Sequence, residues 1–195
     1  MNKTKYKYCE LFGIPFTLFA GVILQNLYTL AADEPLSLII ASVNGSVWEK
    51  SKVFALPYAV WAIITYAAAK PRFKAYFVAK TVGLYSMIAT CIAFNCFAIG
   101  IKGTNYGFAE VIINFAAVLT GYIVSYKIYN MNKDVSDIFI PAAFGVALFV
   151  AAYFCFTFYP CRIEIFYDDR LNVYGIPLTT YYGDLYLDVM NGLTF

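Results

Sequence analysis

The chain has 195 residues, of which 62% are hydrophobic and only 13% are charged, and its mean hydropathy is +0.66. Because soluble domains carry about 25% charged residues, this composition excludes a water-soluble globular domain and predicts an integral membrane protein. The net charge of +2 is too small to indicate a nucleic-acid partner. The absence of histidine removes the most common general base and metal ligand.

Five apolar stretches are long enough to cross a bilayer, which takes about 20 residues. They cover approximately residues 11–32, 48–69, 79–101, 106–126 and 138–159. The first stretch follows a positively charged N-terminus, as in a signal peptide, but it is longer than a typical signal core, so we interpret it as a retained helix. The sequence therefore predicts an all-α bundle of five transmembrane helices over residues 1–160, with an extracytoplasmic tail over residues 161–195.

The lysines and arginines are distributed unevenly between the two predicted faces of the membrane. Nine of the 14 fall before the first stretch or in the connections after the second and fourth, and five fall on the other side. Because cytoplasmic loops carry an excess of lysine and arginine, this asymmetry predicts a cytoplasmic N-terminus and an outer C-terminus. We expect a multi-pass protein of the plasma membrane whose principal partner is the lipid bilayer.

Amide and acidic side chains within the apolar stretches concentrate toward the predicted outer end. They are Gln25, Asn26, Asn95, Glu110 and Asn114. Because polar groups are costly in lipid, a one-sided cluster indicates a site. Amides also join transmembrane helices to one another, and we favour that role for at least one of Gln25 and Asn26.

Glu110 and Asn114 are four residues apart, about one helical turn, and so share a face. Two interpretations of Glu110 remain open. Its carboxyl either reaches the lipid headgroups or lies inside the bundle, hydrogen-bonded to Asn95 or Asn26. In the second case it could carry a proton or act as a general acid.

The polar stretch over residues 42–50 reads SVNGSVWEK and comes before the second apolar stretch. Ser46 followed three residues later by Glu49 is typical of a capping box at a helix start. Trp48 would then lie at the membrane interface, where tryptophan is common. The alternative keeps the cap but points Asn44, Glu49 or both into an outer cavity.

Three segments together resemble a family of small bacterial multi-pass membrane proteins of unknown function. They are SVNGSVWEKSK at 42–52, FVAK at 77–80 and FTFYPCRIEIFYDDRLNVYGI at 156–176. The first motif in that family typically reads PVNESVWEHLK and the last TFYPPxIPLFxDPxxGxYGI. Here Gly45 and Lys50 replace the glutamate and histidine, and Cys161 and Asp169 replace prolines. The resemblance implies no established activity, and a role that needed the replaced pair would be lost in this chain.

The tail beyond residue 160 offers two weaker signals. Its acidic residues are oxygen ligands of the kind that Ca²⁺ prefers, but their spacing does not match an EF-hand loop, so we favour a solvated face. We predict no metal site and no cofactor. Residues 178–195 are aromatic and β-prone, which is typical of a lid over the outer mouth or of a segment lying on the membrane interface. The spacing of Cys96 and Cys161 leaves a disulfide between them open.

Four functional hypotheses follow from these patterns. The first is an outward-facing polar pocket that binds a lipid-derived or other small molecule, lined by Asn26, Asn44, Trp48, Glu49, Asn95, Glu110 and Asn114. The second is an intramembrane enzyme that uses Glu49 or Glu110 for proton transfer. The third is a transporter, which five helices without an internal repeat would build only as an oligomer. The fourth is an accessory membrane subunit.

Overall fold

The computed structural model describes residues 3–30, 35–102, 107–131 and 134–177. These residues form seven α-helices: α1 (Lys3–Leu30), α2 (Pro35–Ile40), α3 (Val47–Lys52), α4 (Ala55–Ala69), α5 (Phe73–Lys102), α6 (Phe108–Tyr129) and α7 (Phe139–Phe158). A short antiparallel hairpin follows, formed by β1 (Tyr167–Asp168) and β2 (Val173–Tyr174). Five segments have the length and composition to cross a membrane, with α3 and α4 together forming the second. The predicted all-α bundle with five candidate membrane spans is confirmed.

The second span is interrupted, which the hydropathy pattern did not show. Helix α3 ends at Lys52, and α4 begins at Ala55 after two residues in a turn. Pro57 lies in the first turn of α4, where its missing N–H would otherwise have to bond the carbonyl of Val53. A continuous helix would lack that bond, whereas a new helix beginning at Ala55 does not need it. Every residue of the short α3 is buried in the bundle.

Helices α1 and α5 extend beyond their apolar stretches. Helix α1 begins at Lys3, and α5 begins at Phe73. In these first turns exposed lysines alternate with buried aromatic residues such as Tyr6 and Tyr76. The turns are therefore amphipathic, and average hydropathy underestimates their length. Helix α4 ends at Ala69, before the first turn of α5, because Lys70 adopts the left-handed conformation (φ 47°) and Pro71 follows.

The tightest helix pair is α5 with α6. A Cβ added at Gly83 would lie 2.7 Å from the Gly121 carbonyl oxygen, so the two backbones touch at this point. Small residues permit such an approach, which is a common basis of helix association in membranes. Helix α1 packs on α4 and α6, whereas α7 packs mainly on α5 and exposes most of its surface.

The bundle has two distinct ends. We call "site end" the one formed by the last turns of α1, residues 42–45, α3, the first turn of α6 and the hairpin. We call "basic end" the one formed by the first turns of α1, the α4–α5 connection and the last turn of α6. At the basic end Tyr6 is fully buried against the rings of Tyr76, Tyr126 and Tyr129.

Candidate functional site

A polar cleft of about 370 Å³ lies at the site end. Its wall comes from α1, the 42–45 loop, α3, α6 and the hairpin. The lining residues are Gln25, Asn26, Tyr28, Ser42, Val43, Asn44, Gly45, Lys50, Glu110, Asp168, Arg170, Leu171 and Pro177. Side chains of both charges and several amides therefore meet in one cavity, although they are up to 145 positions apart, from Gln25 to Arg170.

Glu110 lines this cleft and contacts three of its other lining side chains. Gln25 Nε2 donates a hydrogen bond to Glu110 Oε1 at 2.7 Å. Lys50 Nζ lies 3.3 Å from Oε2, and Arg170 Nη2 lies 4.0 Å from the same oxygen. Glu110 is also in the first turn of α6, where the helix dipole favours a negative charge. An amide, two cations and a helix terminus thus stabilise one carboxylate.

Two hydrogen bonds join the 42–45 loop to the hairpin and the residue that follows it. Asn44 Nδ2 donates to the Gly175 carbonyl oxygen at 2.7 Å, and Asn44 Oδ1 accepts from the Ser46 N–H at 2.9 Å. The Gly45 N–H donates to Asp168 Oδ2 at 2.5 Å. A Cβ at position 45 would lie 3.0 Å from that same oxygen. The glycine that departs from the family pattern is therefore where the backbone closely approaches Asp168.

Glu49 does not line the cleft, and its carboxylate connects α3 to the loop that precedes it. Its Oε1 pairs with Lys52 Nζ at 2.8 Å, and its Oε2 accepts from the Val43 N–H at 3.0 Å. Lys52 also donates to Thr157 Oγ1 at 2.5 Å, which links α3 to α7. The predicted cap is present, because Ser46 Oγ accepts from the Glu49 N–H at 3.3 Å. The Glu49 carboxylate bonds Val43 rather than Ser46, so it does not close the box as expected.

The remaining sequence-predicted residues are dispersed. Trp48 packs against the rings of Phe156 and Phe166, which also contact each other. Asn95 donates to the Cys91 carbonyl oxygen at 2.7 Å and lines a small cavity of about 20 Å³ beside Lys50. Asn114 is buried, and within the described part of the chain its Oδ1 has no hydrogen-bond partner.

Of the seven predicted pocket residues, three line the cleft, Asn26, Asn44 and Glu110. The other four do not: Trp48, Glu49, Asn95 and Asn114. Asn26 lines the cleft while its Nδ2 donates to the Val22 carbonyl oxygen, one turn back in α1. Such a local bond satisfies one donor of the amide within its own helix. Gln25 supplies the link between helices that amides often provide in membranes, through Glu110.

Sequence reasoning missed Lys50, Asp168 and Arg170 as members of the site. Their signal was present only in the resemblance, because the first motif contains Lys50 and the last contains the other two. The structure shows these motifs in contact: Trp48 packs on Phe166, and Gly45 bonds Asp168. Two motifs separated by more than 100 residues therefore build one unit.

A second ionic centre, also missed, lies toward the basic end. Lys80 Nζ is 2.7 Å from Glu10 Oε2, and both side chains are buried. The ammonium also lies over the rings of Tyr58 and Tyr122, at 4.8 and 4.7 Å from their centroids. Aromatic faces attract a cation, and here they replace part of its hydration. The sequence signal was the presence of one acid, Glu10, and one lysine, Lys80, within two candidate membrane spans.

Two expectations about the tail have different outcomes. Cys96 and Cys161 are both exposed free thiols, so the disulfide that the spacing left open is not formed. The suggested lid over residues 178–195 lies outside the described residues.

Five membrane-length helices and a polar cleft at one end define this chain as a multi-pass membrane protein. The chain belongs to a family described as a family of unknown function (DUF6512), which matches residues 1–176. No curated protein and no solved structure matches the chain. This membership confirms the resemblance to a family of unknown function that the sequence indicated.

Proposed function

We propose that the cleft at the site end binds a lipid-derived or other small polar molecule at the outer surface of the plasma membrane. The main support is that Lys50 of α3 and Arg170 of the hairpin both approach Glu110 of α6, so three separate parts of the chain meet here. An ion pair that only joins helices can be buried, as Glu10–Lys80 is between α1 and α5. The Glu110 cluster instead borders a cleft of about 370 Å³.

The side chains of the cleft favour a ligand that carries both hydrogen-bond donors and acceptors. Arg170 has 52% of its side chain exposed, and its Nη2 lies 4.0 Å from Glu110, a long distance for a hydrogen bond. Turning the guanidinium toward an anionic ligand group would therefore break no hydrogen bond to Glu110. Arginine suits this role because its planar donors match carboxylate and phosphate geometry. Glu110 and Asn44 supply acceptors for a cationic or hydroxyl-bearing part of the same ligand.

Mass spectrometry of the protein released from its own membrane tests this proposal. We expect a small molecule to accompany the native chain and to be reduced by about tenfold or more in Glu110→Gln, because hydrogen bonds to charged groups contribute about 1.5–3 kcal/mol. Arg170→Gln should reduce it as well. Glu164→Gln and Arg162→Gln are the matched controls, because both residues are exposed and neither lines the cleft. Equal occupancy in all four variants, or no bound molecule in the native chain, would contradict the proposal.

An enzyme is the second candidate, and the surroundings of the two carboxylates favour Glu110 over Glu49 as its proton-transfer residue. Both carboxylate oxygens of Glu49 are engaged by Lys52 and Val43, whereas Glu110 borders the open cleft. Proton transfer would therefore fall to Glu110. A bound molecule that is chemically altered by the native chain and recovered unaltered from Glu110→Gln would favour this candidate over simple binding.

The proposal requires the N-terminus in the cytoplasm and the site end outside. Single cysteines in a cysteine-free background test this with a reagent that does not cross membranes. Glu164→Cys, beyond the end of α7, should react in intact cells, and Arg72→Cys, in the α4–α5 connection, should react only after the membrane is opened. The reverse pattern would place the cleft in the cytoplasm.

A further inference from the structure

An apolar groove of about 340 Å³ lies between α4 and α5, and Val146 of α7 contributes to its far wall. Helices α4 and α5 make few contacts with each other, and the small side chains of Ala59 and Ala62 leave the space open. Ile63, with 70% exposure, and Phe73, with 50%, lie on its rim. In a membrane-spanning bundle this surface faces lipid, so the groove is shaped to hold an acyl chain.

One end of the groove lies beneath the α4–α5 connection. Tyr66, one turn before Lys70, and Phe73, directly after Arg72, both line it. Their rings meet edge to face, with centroids 5.6 Å apart. Aromatic residues of this kind concentrate at the level of the lipid headgroups. A lipid whose chain fills the groove therefore has its headgroup at the α4–α5 connection.

That connection is strongly basic. Lys70, Arg72 and Lys74 lie within five consecutive positions, and all three are exposed. Across the described residues of the basic end and of the adjoining α6–α7 connection, exposed basic residues outnumber exposed acids by six to two, a surplus of four positive charges. The basic residues are Lys5, Lys7, Lys70, Arg72, Lys74 and Lys127, and the acids are Asp134 and Asp137. The headgroup position is therefore complementary to a negative charge.

We propose that the groove between α4 and α5 is a binding site for one anionic phospholipid, with an acyl chain between the helices and the phosphate on Lys70, Arg72 and Lys74. This site is at the opposite end of the bundle from the cleft and does not depend on the function proposed for it. The apolar groove supplies chain binding, and the basic connection supplies headgroup selectivity. The occupant is a membrane lipid rather than a soluble phosphate, because the apolar groove is the larger part of the site.

Native mass spectrometry of the full chain tests this site with an equimolar mixture of phosphatidylglycerol and phosphatidylcholine that have identical acyl chains. We expect the native protein to retain phosphatidylglycerol preferentially. The triple variant Lys70→Gln, Arg72→Gln, Lys74→Gln should lose that preference, with about fivefold lost per basic residue near the headgroup. The control triple variant Lys5→Gln, Lys7→Gln, Lys127→Gln removes the same charge from other helices and should keep the preference.

The groove itself is tested by Ala59→Phe, which fills it, against Ala68→Phe, an exposed alanine of α4 that does not line it. We expect Ala59→Phe to reduce retention of both lipids and Ala68→Phe to leave it unchanged. The double variant Lys70→Arg, Lys74→Arg preserves the charge and should retain the lipids as the native chain does. This result would show that the triple glutamine variant loses its preference through loss of charge and not through misfolding. Equal retention of the two lipids by the native protein, or equal losses in the two triple variants or in the two phenylalanine variants, would overturn the proposal.

Discussion

Lys80 and Glu10 show how a buried charge is accommodated inside an apolar bundle. Each side chain has little access to solvent, and their charged atoms lie 2.7 Å apart. Desolvation of two ions is costly, so such a pair contributes little net stability, but removal of one partner leaves the other charge uncompensated. The pair therefore constrains which substitutions α1 and α5 tolerate.

Glu10→Gln should lower the free energy of unfolding by about 3–5 kcal/mol, because Lys80 would remain buried without its counterion. The double variant Glu10→Gln, Lys80→Met should recover most of that loss, because methionine occupies a similar volume without a charge. Denaturant unfolding of the chain in detergent micelles measures both values. A double variant as unstable as the single one would show that the pair is not the source of the effect.

Ser46 carries a smaller and more local contribution. Its hydroxyl accepts from the Glu49 N–H and begins α3, which holds Lys50 toward the cleft. Ser46→Ala should cost about 1 kcal/mol of stability, the usual value for loss of an N-cap. The same unfolding measurement checks it, with the half-buried Ser86→Ala as the control, because the Ser86 hydroxyl donates to the Val82 carbonyl oxygen within its own helix and caps nothing. Equal effects in the two variants would contradict a capping role.

Helices α5 and α6 form the most closely packed pair of the bundle, and one glycine contact permits it. A Cβ at Gly83 would lie 2.3 Å from the Tyr58 hydroxyl oxygen and 2.7 Å from the Gly121 carbonyl oxygen. Backbone atoms cannot yield as a flexible side chain can, so the two helices would have to separate. Their separation would also displace Tyr58, which packs against the Lys80 ammonium.

Gly83→Ala should therefore destabilise the protein by about 1–3 kcal/mol, the usual cost of overpacking. Gly100→Ala in the same helix is the matched control, because a Cβ there meets nothing within 4 Å. Alanine is the better helix former by about 1 kcal/mol, so Gly100→Ala should be neutral or stabilising. Thermal unfolding separates the two variants, and a Gly83→Ala protein as stable as the native chain would contradict the close packing of α5 on α6.

Hydropathy was sufficient to predict the five membrane-length segments, because an apolar run of that length has few alternatives. It did not predict the interruption after Lys52, which depends on Pro57 and on the burial of α3 from all sides. The hairpin over residues 167–174 was also missed. Its strands have two residues each, too few for an alternating pattern to show.

The whole molecule assembles its cleft from contacts that sequence spacing does not encode. Membrane depth alone placed Asn26 and Glu110 at the same end, and both line the cleft. Glu49 and Trp48 are at the same end but do not line the cleft, because depth does not determine the direction of a side chain. Arg170 lies in the turn of the hairpin, 60 positions after Glu110, and the two side chains approach each other only in the folded chain. The sequence spacing does not predict this contact.

The proposed ligand of the cleft would contact Lys50, Arg170 and Glu110. An experimental structure of the full chain, extracted with its surrounding lipid and without added ligand, tests this binding. We predict non-protein density in the cleft within hydrogen-bond distance of Arg170 or Lys50, and its loss in Glu110→Gln. A native structure in which residues 178–195 or other side chains of the chain fill the cleft, and no other molecule does, would contradict the claim.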